Sequence, residues 1–303
     1  MHPAELAILL HRALEVRLAR LQELLLPEDW SEDREQLHQV RVAARRLGAV
    51  LDLVDSEAYP GHKSQRRALK SLVDILGLPR EQDVHADHLQ AYLGTTTSPT
   101  QAAVIEYLLE GVDRGRAKSR RTMQKELDRL HLPDLRRLLE VPSLPDPFQQ
   151  SSAQEATWAC LQPRAEAALG TLGLLSERED ATAMHQTRVR IKKLRYALEA
   201  LEGAFAVPPE AMLKDLRTLQ SVLGEHHDLA ALEALLWEVE AGLKLRHRAT
   251  LCGGVLEVLG GVAESRRTIF ERFATLAQQQ DPARFALAVR PGLGLAIQDA
   301  PST

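Results

Sequence analysis

The chain has 303 residues, of which 45% are hydrophobic, 26% charged and only 4% aromatic, and its formal net charge at pH 7 is −4. This composition excludes a disordered chain, and its abundance of Leu, Ala, Glu and Arg favours helices over a β-sandwich. The length is sufficient for two domains, each with its own core. A negative net charge argues against a general nucleic-acid-binding protein, so an anion site would have to be a local concentration of positive charge.

Cysteine content and hydropathy indicate a reduced, cytoplasmic protein. Cys160 and Cys252 lie far apart and do not form a metal-type spacing. No apolar run reaches the roughly 18 residues that a membrane span requires. The N-terminal MHPAELAILLHRALEVR has the pattern of an amphipathic helix rather than that of a signal peptide. We therefore expect no association with a membrane.

Turn sequences divide the first half of the chain into about five predicted helices. The breaks LLPED, AYPG, GLPREQD and GTTTSPT all contain residues that favour turns. No run of alternating apolar and polar residues predicts a strand, so the fold class is all-α. The predicted helices cover roughly residues 4–26, 32–56, 62–77, 83–93 and 101–131.

The second half of the chain repeats the first. LHQVRVAARRLGAVL at 37–51 corresponds to MHQTRVRIKKLRYAL at 184–198, an offset of 147 residues. A second block ends in a glycine, LKSLVDILG in one copy and LRTLQSVLG in the other, and a third reads SRRT at 119–122 and 265–268. Three blocks in the same order predict a tandem duplication.

The duplication sets the expected domain boundaries. A Pro-, Ser- and Gln-rich stretch at 141–154 reads as a linker between the copies. We expect one helical bundle over 1–146, a second over 147–290 and a flexible tail over 291–303. The GLGL sequence in that tail lacks the third glycine and the flanking elements of a dinucleotide-binding fingerprint.

The repeated motif places a histidine and basic residues on one narrow face of its helix. Like charges at this spacing destabilise an isolated helix by a few tenths of a kcal/mol per pair, and no acidic residue interleaves them. A basic face is ordinarily only solvated, but its recurrence with a histidine in both copies favours an anion site. The residues on this face are His38, Arg41 and Arg45 in the first copy, and His185, Arg188, Lys192 and Arg195 in the second.

Other basic residues recur at matching positions and join the candidate site. They lie beside the stripe, on the helix before each glycine of the second block, and in the SRRT blocks. These residues are Arg46, Arg67, Lys70, Arg120, Arg121, Lys193, Lys214, Arg217 and Arg266. The copies are not equivalent, because Gly48 stands where the second copy has Arg195.

The repeated H-x-x-R-V-x-x-[RK]-[RK]-L motif resembles the CHAD family, the conserved histidine α-helical domain, over about residues 1 to 285. The resemblance implies two four-helix bundles related by a pseudo-twofold axis, with the two histidine helices facing a central basic cavity. It also implies binding of inorganic polyphosphate through the His, Arg and Lys side chains named above, in the cytoplasm and at polyphosphate granules. Neither catalysis nor a cofactor is implied.

The chemistry of the candidate site suits this ligand. Polyphosphate carries about one charge per phosphate and has no base or sugar to recognise, so forked arginine donors are appropriate partners. A histidine adds a donor whose charge changes near neutral pH. The scarcity of aromatic residues leaves no platform for base stacking and disfavours single-stranded nucleic acid as a partner.

Two alternatives remain open. A metal-dependent phosphohydrolase of the HD type could use His185 with the His227–Asp228 pair, whereas a helical scaffold would bind a protein partner. Two groups have metal-like composition, His226-His227-Asp228 and Asp83-x-His85-x-Asp87-His88. Asp83 and Asp228 correspond if the first copy has two extra residues, and only the Asp is common to both, so we expect it to cap a helix or to hold an arginine.

Overall fold

The computed structural model describes residues 4–27, 30–54, 61–96, 98–130 and 153–296, and all regular structure in these ranges is helical. The all-α prediction is confirmed. None of the described helices is long and apolar enough to cross a membrane. The first copy contributes α1 (Ala4–Leu24), α2 (Arg34–Leu51), α3 (His62–Ile75), α4 (Arg80–Thr95) and α5 (Pro99–Leu130). The second contributes α6 (Ala153–Leu169), α7 (Leu172–Glu177), α8 (Ala181–Ala200), α9 (Glu210–Leu245), α10 (Ala249–Ala277) and α11 (Pro282–Val289), with short 3₁₀ turns at Glu202–Ala204 and Pro291–Leu293.

Equivalent aspartates begin the two motif helices. The side chain of Asp33 accepts a hydrogen bond from the backbone N–H of Gln36 at 2.6 Å, and that of Asp180 accepts one from Ala183 at 2.9 Å. Each aspartate satisfies a backbone donor that the first helical turn leaves free. The two caps are separated by the same 147 residues as the motifs, so α2 and α8 present their basic faces in the same phase.

The copies differ where the glycine of the second block occurs. In the first copy α3 ends before Gly77, and α4 starts after Pro79, whose ring removes a backbone donor. In the second copy α9 continues through Gly224 as a single helix of 36 residues. One long helix in the second copy therefore corresponds to two helices in the first.

Two hydrophobic cores hold the helices together, and each contains helices of both copies. One core combines α1, α2 and α3 with α6, α8 and α11, and the other combines α4 and α5 with parts of α9 and α10. The helices α5, α9 and α10 extend through both cores. Met123, Leu216 and Phe273 belong to the first core, and Ile105, Leu232 and Val258 belong to the second. Although the length would allow each copy its own core, both cores combine helices of the two copies, because α2 packs on α8 and α5 packs on α10.

The predicted boundary between residues 146 and 147 lies outside the described residues, as does nearly all of the linker. The pseudo-twofold arrangement of two four-helix bundles stays a prediction. The expected flexible tail is wrong for residues 291–296, because Leu293 is buried and the backbone N–H of Ala206 donates to the carbonyl of Gly292 at 2.8 Å. Residues 297–303 are outside the described ranges.

Candidate anion-binding site

A cavity of about 540 Å³ lies between α2, α4, α8 and α9, and we call it the α2–α8 cavity. Six cationic side chains line it, against two carboxylates. The cations are Arg41, Arg45, Arg80, Arg188, Lys192 and Arg195, and the carboxylates are Glu81 and Asp228. Four histidines complete the polar lining, namely His38, His85, His185 and His227. Positive charge is thus concentrated locally in a chain whose net charge is negative.

The repeated glycines make room for the two central arginines. A Cβ atom at Gly77 would lie 3.4 Å from Nη2 of Arg41, and one at Gly224 would lie 3.4 Å from Nε of Arg188. The Arg41 guanidinium therefore lies against the backbone at Gly77, in the turn after α3, and that of Arg188 lies against the backbone of α9 at Gly224. The Nε atoms of both arginines are buried and find no hydrogen-bond partner among the described residues.

Burial and mutual repulsion lower the pKa values of the cations. The pKa of Arg41 falls to about 10, first through burial and then through the charges of Arg45, Arg80 and Arg188. The pKa of Lys192 falls to about 8, again first through burial and then through Arg45, Arg188 and Arg41. Positive charges that repel one another in a partly desolvated site are stabilised when an anion enters.

Burial and neighbouring cations also lower the pKa values of three histidines of the cavity. Burial, followed by the charge of Arg80, lowers the pKa of His38, and burial followed by Arg188 lowers that of His185. The pKa of His227 is lowered by burial and then by His185, whose Nδ1 lies 3.2 Å from Nδ1 of His227. These rings are therefore mainly neutral at pH 7 when no anion is bound.

One stripe arginine has an internal partner. Arg195 is buried, and it donates to Glu199 at 2.7 Å and to Gln220 at 2.9 Å. Its guanidinium also lies 4.6 Å from the ring centre of Tyr196. The expectation that no acidic residue relieves the stripe is wrong for Arg195, because Glu199 follows it by one helical turn.

A second cavity, of about 650 Å³, lies on the other side of α2, between α1 and the first half of α9. Two predicted site residues line this cavity instead: Arg46 lies 3.5 Å and Arg217 lies 3.9 Å from Glu199. His38 and Val42 line both cavities, so a single turn of α2 separates them. The other charged residues of the second cavity are Arg17, Arg20 and Glu202.

The remaining predicted residues lie outside the α2–α8 cavity. Arg266 is half-buried, but it pairs with Glu179 at 2.7 Å and contacts Glu233, so its charge is matched internally. Lys70 pairs with Asp74 at 2.9 Å on the surface of α3. The others are exposed on their helices, apart from Arg120, which is half-buried on α5; they are Arg67, Arg121, Lys193 and Lys214.

Two lining residues that the sequence did not assign to the site share a simple signal. Arg80 follows Gly77 by three residues, and His227 follows Gly224 by three. The carboxylate next to each, Glu81 or Asp228, also lines the cavity. The constant offset of 147 therefore continues past the glycines, and the expected two-residue insertion does not describe the residues that line the cavity.

The acid expected to hold an arginine does so in the first copy. Asp83 is buried and lies 2.8 Å from Nε of Arg116 and 3.7 Å from Nε of Arg34. Its predicted counterpart Asp228 lies inside α9, so it cannot cap a helix. In the second copy, Asp228 lines the α2–α8 cavity. In the first copy, Asp83 instead pairs with arginines of α2 and α5.

The residues of metal-like composition have other partners. Nε2 of His226 lies 2.7 Å from Glu179, and Asp87 contacts Arg34. Within the part of the chain that the structure describes, no three His, Cys, Asp or Glu side chains are arranged to hold a metal ion. His185, His227 and Asp228, which the hydrolase alternative names, all line the α2–α8 cavity, and that alternative stays open.

Comparison with known proteins places the chain in a family. No curated protein matches. The crystal structure of the CHAD domain from the plant Ricinus communis is similar over 88% of this chain and 91% of that chain, with 24% identity and a TM-score of 0.58. PptA from Streptomyces chartreusis is similar over 92% of this chain and 99% of that chain, with 17% identity and a TM-score of 0.62. These two structures share the fold, and the CHAD domain family model matches residues 10–237. The chain belongs to the CHAD domain family.

Proposed function

We propose that the chain binds inorganic polyphosphate in the α2–α8 cavity and does not hydrolyse it. The observation that carries the proposal is the pair of half-buried arginines, Arg41 and Arg188, each laid against a glycine with an unpartnered, buried Nε. Buried donors without partners cost free energy, and oxygen atoms of a bound anion would satisfy them. One arginine comes from each copy, which supports a ligand that contacts both.

The number of charges favours a polymer over a single phosphate. Six cations from three helices line the cavity, and only Arg195 has a close internal carboxylate among those described. A single phosphate carries at most about two charges near pH 7. A chain with about one charge per unit would place several phosphates among the cations, and arginine binds phosphate oxygens in a bidentate manner.

A nucleic acid would fit this lining less well. The aromatic residue of the lining is Tyr196, and Arg195 lies over its ring. Sequence-tolerant binding of single strands relies on aromatic faces on which successive bases stack. A polyanion without bases uses only the charged donors, which are what this cavity offers.

The proposal is tested with metal-free protein. After exhaustive chelation, we expect the protein to bind long-chain polyphosphate in calorimetric titrations and to release no inorganic phosphate from it in a colorimetric assay. Metal-dependent phosphate release that is lost in His227→Gln would instead support the hydrolase. If polyphosphate neither binds nor raises the melting temperature, the interaction scaffold becomes the better interpretation.

Replacing Glu199 is expected to strengthen polyphosphate binding. Glu199 lies within ion-pair distance of Arg46, Arg195 and Arg217. Of these, Arg195 lines the α2–α8 cavity, where the carboxylate of Glu199 competes with an incoming anion for its donors. Glu199→Gln should raise the affinity about threefold to tenfold, the equivalent of about 0.6–1.4 kcal/mol of binding free energy. It should also lower the melting temperature, because buried Arg195 loses its charged partner.

The matched control for this variant is Glu202→Gln. Glu202 lines the second cavity and is exposed, and its replacement by glutamine removes the same charge. Titration of both variants with long-chain polyphosphate separates the loss of this particular ion-pair cluster from the general change in net charge. Equal gains in the two variants would contradict the role assigned to Glu199.

A further inference from the structure

Three of the histidines that line the α2–α8 cavity, His85, His185 and His227, are called the histidine cluster below. His85 of α4 is only 3% exposed, and neither of its ring nitrogens has a hydrogen-bond partner among the described residues. His185 of α8 and His227 of α9 face each other, with ring centres 4.3 Å apart and their Nδ1 atoms 3.2 Å apart. A histidine buried without a partner is costly, which points to a ligand that supplies one.

The geometry of the facing pair limits how many protons it holds. Two Nδ1 atoms at 3.2 Å make a favourable contact when one of them is protonated and its N–H donates a hydrogen bond to the other. If both rings were fully protonated, two N–H groups would point at each other and the contact would open. An acceptor placed between them would then receive a hydrogen bond from each of His185 and His227.

Charges of both signs act on the protonation of the three histidines. Cations oppose protonation: Arg188 and Lys192 act on His185, and Arg188 acts on His227. Two carboxylates of the same cavity favour it, and both of them act on His85 as well as on His227. The charged and titratable groups that act on the three rings are Glu81 and His88 of α4, Arg188 and Lys192 of α8, and Asp228 of α9.

We propose that the histidine cluster is a proton-dependent phosphate subsite within the polyphosphate site. When a phosphate group enters, the His185–His227 contact opens, the rings take up protons from solvent, and all three donate N–H groups to phosphate oxygens. The inference rests on the proposed function, which identifies the polyanion. It adds His85 and His227 to the binding residues and makes affinity depend on pH in the range where the arginines stay charged.

The sign of the dependence follows from proton balance. The rings have pKa values below the ordinary value of histidine in the free protein, and a bound anion favours their charged forms. Binding therefore takes up protons, and affinity rises as the pH falls. An uptake of one proton changes affinity by up to about tenfold per pH unit, and we expect an increase of about tenfold between pH 8 and pH 6.

The experiment measures proton uptake directly. Long-chain polyphosphate is titrated calorimetrically at pH 6.2 in two buffers of different ionisation enthalpy, and affinities are measured at pH 6 and pH 8. The variants are His85→Gln and the double variant His185→Gln/His227→Gln, which retain an amide donor but do not titrate. His11→Gln is the control, because His11 lies on α1 and pairs with Glu15 at 3.2 Å. Lys192, with a pKa of about 8, is already protonated at pH 6.2 and contributes little to the uptake there.

The wild type and the control should take up protons on binding, and the double variant should lose at least half of that uptake. Its affinity should match the wild type within about threefold at pH 8 and fall behind it by about tenfold at pH 6. Equal uptake in the double variant would overturn the inference while leaving polyphosphate binding intact. Absence of binding at both pH values would overturn the proposed function itself. If His85→Gln does not fold, the double variant decides the result alone.

A zinc titration tests whether the histidine cluster binds a metal ion and not phosphate. Zinc chloride is titrated into chelated wild type and into the double variant at pH 7.5. We expect no stoichiometric binding to the wild type. Tight one-to-one zinc binding that the double variant loses, with release of protons, would replace the phosphate subsite by a metal site.

Discussion

Replacing both Arg41 and Arg188 with glutamate is expected to weaken polyphosphate binding at least about a hundredfold. Each change removes a charge-assisted contact of about 1.5–3 kcal/mol, and together they correspond to about 3–6 kcal/mol of binding free energy. The new carboxylates also repel the polyanion. Loss of folding is not the expected cause, because each glutamate would lie among cations such as Arg45, Arg80 and Lys192.

The measurement is a titration with long-chain polyphosphate at two salt concentrations, together with a melting curve. A charge-matched control is Arg12→Glu/Arg190→Glu, since both residues are exposed and line neither cavity. The affinity of the wild type and of the control should fall steeply with salt, because binding releases counterions from the polyanion. Equal affinity of the wild type and the Arg41→Glu/Arg188→Glu variant would place the binding site elsewhere on the molecule.

The sequence was sufficient to predict the helices that carry the site. The hydrophobic period and the turn residues located five helices of the first copy within a few residues of their ends. The 3.6-residue period makes the positions that share a face of α2 or of α8 predictable, and Asp33 and Asp180 begin the two helices at equivalent positions. The structure brings three of these positions, His38, Arg41 and Arg188, into one cavity.

The sequence could not predict which basic residues are neutralised by distant parts of the chain. Arg266 looked equivalent to Arg120, yet Glu179, from the turn before α8, pairs with Arg266. Arg46 is adjacent to Arg45, but the 100° step between neighbouring helical positions turns it towards α1 and Glu199. A helical wheel gives the direction of a side chain about its own axis and not the identity of the helix that it meets.

The histidines show the same limit. The predicted alignment gives His227 no counterpart in the first copy, so the sequence does not assign it to the anion site. The structure brings it to His185, 42 residues earlier, and to the cavity that Arg80 lines from the first copy. A cavity built from four helices of two copies thus depends on long-range packing, although each contributing helix is specified locally.

The concentration of unpaired cations implies a cost in stability that the free protein bears. Arg41, Arg45, Arg188 and Lys192 act on one another, and all are half-buried. Among these four residues, Lys192 loses its charge most readily, because burial and like charges lower the pKa of an ammonium group into an accessible range. A cation that is held for a ligand should therefore weaken the free protein and strengthen the complex.

Lys192→Met is accordingly expected to stabilise the free protein while weakening its complex with polyphosphate. At pH 7 the pKa of about 8 leaves Lys192 mostly charged in the folded state, where the charge is disfavoured. Methionine keeps the apolar stem and removes that charge, so we expect the melting temperature to rise by about 2–5 °C. Affinity for long-chain polyphosphate should fall about tenfold through the loss of one charge-assisted contact.

The pH dependence of the melting temperature identifies the cause. The folded pKa of Lys192 is depressed from 10.5 to about 8, so the unfolded chain binds the extra proton between these values. The stability of the wild type therefore rises with pH in that interval, because the folded chain no longer holds the disfavoured charge. The gain of Lys192→Met over the wild type should be full below pH 8 and should disappear by about pH 10.5. Lys193→Met is the matched control: Lys193 is the next residue on α8, is exposed and lies outside the α2–α8 cavity, so it should show no such gain. If Lys193→Met raised the melting temperature as much as Lys192→Met, the stabilisation would come from methionine on this helix and not from release of a disfavoured charge.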